Sequence, residues 1–304
     1  MARAAIRTKR PRYHCRPGQP HRPRPLPPTG ARRSPPAQPA RHLVTDERVA
    51  EYERQHADLH QALFEAAWIH RKISAPRQLQ RGHFEIASET FAVRHLSGDF
   101  LCARDVGGAT ALAVGDIAGK GIGACMWTTF LAGLFHLHAA SAAGPASAAI
   151  SINRALCLLR PAAPLATMFL ARLDWQSGEL AYCNAGHPPA LLLRSGGAVE
   201  RLEDGGPLLG GMPTASFRPA RVTLRPGDTL VAFSDGLVEC RNAQDREFGI
   251  ERLIGAARRS LGSSCGQMVF SLLAAVNDFA GNQPRDDDIS IMVVRHNVRP
   301  AAAV

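Results

Sequence analysis

The sequence predicts an α+β fold built on largely antiparallel sheets, and three observations carry that expectation. Short apolar runs recur between Gly- and Pro-rich turns across residues 82–240. Two pairs of runs are joined by compact turn-forming segments, as in hairpins. Helical patterns are few and do not alternate with every strand, which argues against a parallel βαβ sheet. With 45% hydrophobic residues in 304, a sizeable core is expected, and collagenous, disulfide-rich or wholly disordered classes are excluded.

Residues 1–45 stand apart. They hold 11 of the 36 Lys and Arg, none of the 26 acids and 10 of the 22 prolines. The formal charge of +10 is therefore a property of this segment, since the remainder carries 25 bases against 26 acids. A segment so poor in apolar side chains cannot bury a core, so a disordered, basic, Pro-rich tail is expected. Its bases suit sequence-blind contact with an anionic surface. Its prolines spoil an amphipathic targeting helix, and a later translation start is the bland alternative. The body has no helix-turn-helix or zinc-finger pattern, so no specific nucleic-acid partner is expected.

A helical pattern follows at 46–73, with Val49, Tyr52, His56, Leu59, Leu63, Ala66, Ala67 and Ile69 approximating a stripe and Thr45-Asp46-Glu47 as its start. Such a helix either pairs with a second copy or packs on the domain behind it. Residues 74–81 read as a loop around Pro76, making 46–81 a helical linker or regulatory segment and 82–304 the main domain. Within that domain, 85–93 is strand-like, and 110–116 is an apolar run ending in an acid. Helices are expected at 123–140 and 146–159. The charge-free run from Gly121 to Asn153 contains His136, His138 and Gly144-Pro145, so it reads as core helix and not as a membrane span. Met126, Trp127, Phe130, Leu131, Leu134 and Phe135 are all expected in the core. Runs 168–173 and 180–184 form one hairpin, and 191–193 and 198–202 form another around Ser195-Gly196-Gly197. A second apolar run, 229–235, again ends in an acid. Helices at 249–260 and 265–280 precede a last strand, 289–294, entered from Asp286-Asp287-Asp288.

Seven scattered cysteines without a Cys-x-x-Cys pair give no sign of a zinc site or a redox dithiol. A reducing cytoplasm is the simple expectation.

The acids at strand ends are the chemical signal. Asp99, Asp116, Asp235 and the 286–288 triplet each close or open an apolar run. One such acid is an ordinary turn residue; four sites together need solvation, partners or a cation. An all-oxygen set suits Mg²⁺ or Mn²⁺ and not zinc. Two such ions would neutralise clustered carboxylates and polarise a phosphoryl oxygen. Gly98, Gly115 and Gly236 beside these acids permit close backbone approach.

Six short motifs then carry a resemblance. Ser97-Gly98-Asp99-Phe100 resembles GGDF, and Val114-Gly115-Asp116-Ile117-Ala118-Gly119-Lys120-Gly121 resembles VGDVSGKG. Asn184-Ala185-Gly186-His187-Pro188-Pro189 resembles NAGHPP, and Gly206-Pro207-Leu208-Leu209-Gly210 resembles GxPLG. Phe233-Ser234-Asp235-Gly236-Leu237-Val238-Glu239 resembles YTDGLTE, and Asp287-Asp288-Ile289-Ser290 resembles DDIT. In this order, over about residues 60–296, they resemble the PPM-type (metal-dependent, type-2C) serine/threonine phosphatases of the SpoIIE/RsbU-like bacterial group.

The resemblance implies two stacked antiparallel sheets flanked by helices on both sides, two Mn²⁺ or Mg²⁺ ions and a metal-bridging water. It implies that Asp116 bridges both metals, that the Ile117 carbonyl joins one, and that Asp235 and Asp287 are ligands. Asp99 falls at the centre or just behind it, and Asp288 stands in reserve for Asp287. Ser97 replaces a Gly of the pattern and Cys102 an Asp. Lys120 either faces the phosphate or is a plain turn lysine, while His187 reads as a turn residue before a general acid. The implied activity is hydrolysis of phosphoserine or phosphothreonine, with a phosphorylated anti-anti-sigma (STAS-domain) protein as substrate. The 46–73 helix would support a homodimer. The competing reading, motivated by Ser97 and Cys102, is a degenerate phosphatase fold acting as a binding or scaffold protein.

Overall fold

The computed structural model describes residues 46–93, 96–140 and 144–298; the expected tail 1–45 lies outside them. Contacts divide the chain into units 1–49 and 50–304. Of the first, only the opening turn of a helix is described; all that follows concerns the second.

Helix α1 (Asp46–Ile73) has the expected bounds. Twelve strands follow: β1 (Gln78–Arg81), β2 (Phe84–Phe91), β3 (Phe100–Val106), β4 (Ala109–Ile117), β5 (Ala166–Asp174), β6 (Glu179–Ala185), β7 (Ala190–Leu193), β8 (Val199–Leu202), β9 (Gly205–Gly206), β10 (Ala220–Thr223), β11 (Thr229–Phe233) and β12 (Ile289–His296). The other helices are α2 (Ile122–His138), α3 (Pro145–Leu158), α4 (Asp235–Val238), α5 (Gly249–Arg259) and α6 (Cys265–Ala280). One sheet runs β1-β2-β12-β11-β7-β8 and the other β10-β6-β5-β4-β3. Every pairing in them is antiparallel except the two-residue β9 alongside β6.

Both expected hairpins form, β5 with β6 and β7 with β8. Residues 74–81, expected as a loop, instead end in β1, which pairs with β2 at the sheet edge. Its residues Gln78-Leu79-Gln80-Arg81 are mostly polar because an edge strand has one side to solvent, which hid it from an apolar-run criterion. Strands β3, β9 and β10 were likewise not anticipated.

The side-chain alternation of strands builds the layers. On β4, Leu112 and Val114 join a cluster with Phe84 and Ile86 of β2, Phe169 of β5 and Leu230 of β11, the filling between the sheets. Their neighbours Ala111, Ala113 and Ile117 turn outward to Leu131, Phe135, Ile152 and Leu156 of α2 and α3. On the other flank, Val231, Phe233, Ile291 and Val293 pack on Leu253, Leu272 and Val276 of α5 and α6. The result is the expected helix–sheet–sheet–helix sandwich.

Local signals set the helix starts. Ser264 and Gln267 form both bonds of a capping box at α6. Pro145 opens α3, leaving the charge-free run as two helices. Among the described residues no helix is long and apolar enough to cross a membrane.

Two core expectations need correction. On α2, Leu131 and Phe135 are buried, but Met126 is exposed and Phe130 largely so, with Trp127 and Leu134 only partly covered. A helix on one face of a sheet presents a single stripe to it, and 100° per residue carries Met126 and Phe130 to the outer side. On α1, Val49, Tyr52, Leu59 and Ile69 of the anticipated stripe are exposed, and only Leu63, Ala66 and Ala67 are partly covered. The end of α1 is nonetheless tied down. His70 Nε2 lies 3.0 Å from Thr128 Oγ1 of α2, and Arg71 and Arg77 converge on the buried Glu89 of β2 at 3.4 and 2.5 Å.

Candidate active site

The space between the sheets changes character at one end. Alternation from Leu112 and Val114 carries Asp116 to the inter-sheet side. The same parity carries Asp99 there from Leu101, Thr167 from Phe169, and Ser290 from Met292. The apolar filling thus runs out into acids and hydroxyls, though no single strand departs from its alternation.

Close packing of glycines brings the acidic segments together. A Cβ on Gly115 would meet the Phe100 ring at 2.5 Å and the Thr167 carbonyl at 2.7 Å. One on Gly236 would overlap the Asp288 carbonyl and come within 3.2 Å of Asp287 Cβ. Gly236 therefore lets the turn bearing Asp235 sit directly on the acid triplet. Serines lace the same junction. The Ser290 amide donates to Ser234 Oγ at 2.9 Å, the Ser234 amide to the Ser290 carbonyl at 3.0 Å, and Ser290 Oγ lies 2.8 Å from Thr90 Oγ1.

Each expected residue can now be placed. Asp99 is 3% exposed, its amide donates to Ser97 Oγ at 3.0 Å, and its Oδ2 has no hydrogen-bond partner. Burial drives its carboxyl well above the ordinary range; the Ser234 and Ser290 hydroxyls oppose this, and Asp116 and Asp288 add repulsion. Asp116 is pushed up to about 7 by burial and then by Asp235 and Asp287, against the Ile117 amide 2.6 Å from its Oδ1. Asp235, first residue of α4, is raised by burial and by Asp287. These shifts describe three carboxylates, Asp99, Asp116 and Asp235, held near like charge with too little positive charge to offset it.

The triplet divides its labour. Asp288 turns back into the protein, accepting from the amides of Val93 at 2.8 Å and Gly98 at 2.9 Å. Asp287 instead faces Asp116 and Asp235, and its Oδ2 takes Lys120 Nζ at 3.0 Å. Lys120 also donates to the Asp286 carbonyl at 2.6 Å. The lysine lies on the triplet, and the carboxylates raise its pKa, chiefly through the Asp287 hydrogen bond.

The departures have structural accounts. Ser97 supplies the hydroxyl that holds the Asp99 amide. Cys102 is fully buried in the cluster beneath α2 and α3, and burial pushes its thiol up to about 12. It is a core residue with no nucleophilic character.

Sequence reasoning assigned nothing to Thr167, Ser234, Ser290 or Glu239. Glu239 follows Asp235 by one helical turn, and its carboxyl is raised by burial, then by Asp235 and Glu247. The i, i+4 spacing was its available signal. Thr167 had none, because only strand register sets it opposite Asp116.

Among the described residues no group of three His, Cys, Asp or Glu side chains stands close enough to hold a metal ion. Asp287 engages Lys120, and Asp288 engages two amides. The donor chemistry still fits a hard divalent cation: the oxygens are carboxylate, their mutual repulsion is uncompensated, and a buried Asp99 oxygen is unpartnered.

Comparison with known proteins agrees with the architecture. The family model for stage II sporulation protein E (SpoIIE) matches residues 106–297. The chain is 28% identical over 189 residues to protein IcfG of Synechocystis sp., covering 53% of this chain but 30% of IcfG. It is 23% identical over 236 residues to phosphoserine phosphatase RsbU of Bacillus subtilis, covering 77% of this chain and 69% of RsbU. The chain therefore spans under a third of one curated relative and about two thirds of the other. The SiaA-PP2C domain of Pseudomonas aeruginosa superposes with a TM-score of 0.70 at 23% identity, over 79% of this chain and 98% of that domain.

Proposed function

The chain belongs to the SpoIIE family, whose matched region includes Asp116, Asp235 and Asp287, and on that premise we propose that it is a metal-dependent protein serine/threonine phosphatase. The observation that carries the reading is the convergence of Asp99, Asp116, Asp235 and Asp287 where the apolar space between the sheets ends.

Asp116, Asp235 and Asp287, with the Ile117 carbonyl and Asp99 alongside, would hold two Mn²⁺ or Mg²⁺ ions, which supply Lewis-acid stabilisation of a phosphoryl group and activation of water. The chain's own groups do the rest. Asp116, whose carboxyl burial and like-charged neighbours push up in the metal-free chain, would bind the ions as a carboxylate, so loading should release protons. Asp99, buried and with its amide held by Ser97, lies beside Asp116 and adds to the charge the ions would neutralise. Lys120 is the mobile cation of the site: its stem is half-exposed, so it can swing from Asp287 to a substrate phosphate.

The substrate we favour is a phosphorylated anti-anti-sigma (STAS-domain) protein, in keeping with likeness to RsbU. The helical segment 46–81 is proposed as the regulatory element and 82–304 as the catalytic domain, with homodimerisation through 46–73. The exposed Tyr52, Leu59, Phe64 and Trp68 support that pairing. Deleting 46–73 should lower activity or the solution mass; no change in either would remove the helix from the proposal. A cytoplasmic location is proposed from the six described cysteines, all free.

The assay is Mn²⁺-dependent release of phosphate from p-nitrophenyl phosphate and from phosphorylated STAS proteins. Asp116→Asn should reduce it to the no-enzyme background while circular dichroism shows a normal fold. Full turnover in that variant would sink the site assignment. The second reading, a phosphatase-fold scaffold, draws on Cys102 standing where the pattern has an acid and on Lys120 engaging Asp287. It predicts binding of the same partners without turnover in the wild type.

A further inference from the structure

His187 was singled out by sequence, and the proposed chemistry leaves it unused. It lies in the short segment 186–189 where the chain leaves β6 in one sheet and enters β7 in the other. It is 5% exposed, and burial pushes its imidazole down to about 3, against the opposing influence of the Phe233 carbonyl beside it. The ring is therefore neutral at any working pH and adds no charge between the acids.

Its connections lead to both acid-bearing strands. Nδ1 lies 2.9 Å from Thr167 Oγ1, and Thr167 is the β5 residue in register with Asp116 of β4. On the opposite side the ring stands near Phe233, the last residue of β11 and two before Asp235, and its Nε2 is buried without a hydrogen-bond partner. The backbone behind the ring is locked. The His187 amide donates to Asn184 Oδ1 at 2.7 Å, and Asn184 Nδ2 donates to the His187 carbonyl at 2.8 Å. Gly186 takes φ +70, and a Cβ there would lie 2.8 Å from the Leu208 amide. A ring so held cannot swing out to act as a proton donor; it can set a distance.

We propose that His187 is a positioning residue that, through Thr167 in register with Asp116 and its seat beside Phe233, restrains Asp116 and Asp235, one from each sheet, relative to one another. An apolar side chain of that size would fill the gap but would leave Thr167 Oγ1, and through it the end of β5, without its inter-sheet partner. The proposal rests on the metal-site reading above.

The test is Mn²⁺ binding to the full chain, followed by titration calorimetry and by the electron paramagnetic resonance signal of bound Mn²⁺. His187→Ala should weaken Mn²⁺ binding by about tenfold, as loss of an outer-layer partner does, and lower the thermal midpoint through the cavity it leaves. His187→Asn, which keeps an amide near the Nδ1 position, should recover most of the affinity. Thr167→Val, nearly unchanged in volume, should weaken binding in the same direction and add little to His187→Ala in the double variant. It carries the test if His187→Ala does not fold. Unchanged Mn²⁺ affinity in the folded variants would overturn the positioning role, as would a His187→Asn variant no better than His187→Ala. A wild-type chain that takes up no Mn²⁺ would instead overturn the metal site itself, and the inference with it.

Discussion

Strand β11 carries an acid at each end, and the two ends behave in opposite ways. Asp228 precedes it and is 1% exposed. Burial alone would raise its pKa, but the amides of Arg225 and Ser195 at 2.9 and 3.0 Å and the Arg194 guanidinium at 2.8 Å outweigh it and hold the carboxyl low. Asp235 follows the strand, and burial together with Asp287 raises it. Both are acids at the end of one apolar strand. One has a complete set of donors, which makes it a structural anchor. The other has like-charged neighbours, which makes it a site waiting for positive charge. Position at a strand end says little; what the surroundings donate says most.

The sharpest way to break this contrast is to neutralise each end separately. Asp235→Asn should remove Mn²⁺-dependent phosphate release entirely while leaving the thermal midpoint unchanged or higher, because one repulsive charge is gone. Asp228→Ala should do the reverse. It strands the Arg225 and Ser195 amides, while Arg194 keeps Glu200 and the Thr223 carbonyl, so a loss of about 1–3 kcal/mol in urea unfolding is expected, with Mn²⁺ affinity of the folded protein intact. Equal effects of both changes on activity would erase the distinction.

A smaller effect separates the two ends by pH. Asp116 has a raised folded pKa, so its contribution to stability is complete below the ordinary carboxylate range and is lost as pH rises through about 7. Asp228 has a lowered one, so its contribution is complete above the ordinary range and is lost as pH falls through the folded value. The metal-free chain should thus lose thermal stability from about pH 4 to about pH 7, a trend flattened in Asp116→Asn and kept in Asp228→Asn. Melting curves over that range decide it; a trend identical in both variants would place its source elsewhere.

The smallest effect concerns Lys120. Its ion pair with Asp287 is half-exposed, so Lys120→Ala should change stability by less than about 1 kcal/mol. If the lysine meets substrate, KM for a phosphoprotein should rise severalfold with Mn²⁺ affinity unchanged or improved. An unchanged KM would leave it a turn lysine.

Much of this was legible before folding. The helix 46–73 and both hairpins follow from periodicity and turn residues, which are local. The strand-end acids Asp116, Asp235 and the triplet were visible because an acid closing an apolar run is locally conspicuous. Edge strand β1 was not, because its polar residues answer to solvent on one side. Met126 and Phe130 were misplaced, because an all-apolar helix does not reveal which stripe meets the sheet.

By itself, then, the sequence determined most of the strands, both hairpins and the kind of chemistry, since local backbone preference and side-chain type are written residue by residue. Only the tertiary structure decided which acids share a site. Strand register set Thr167 against Asp116, the close approach at Gly236 brought Asp235 onto the triplet, and Asp288, just before β12, joined the distant Val93 and Gly98 amides. These are contacts between residues up to 195 positions apart, and they arise only when two sheets close on one another.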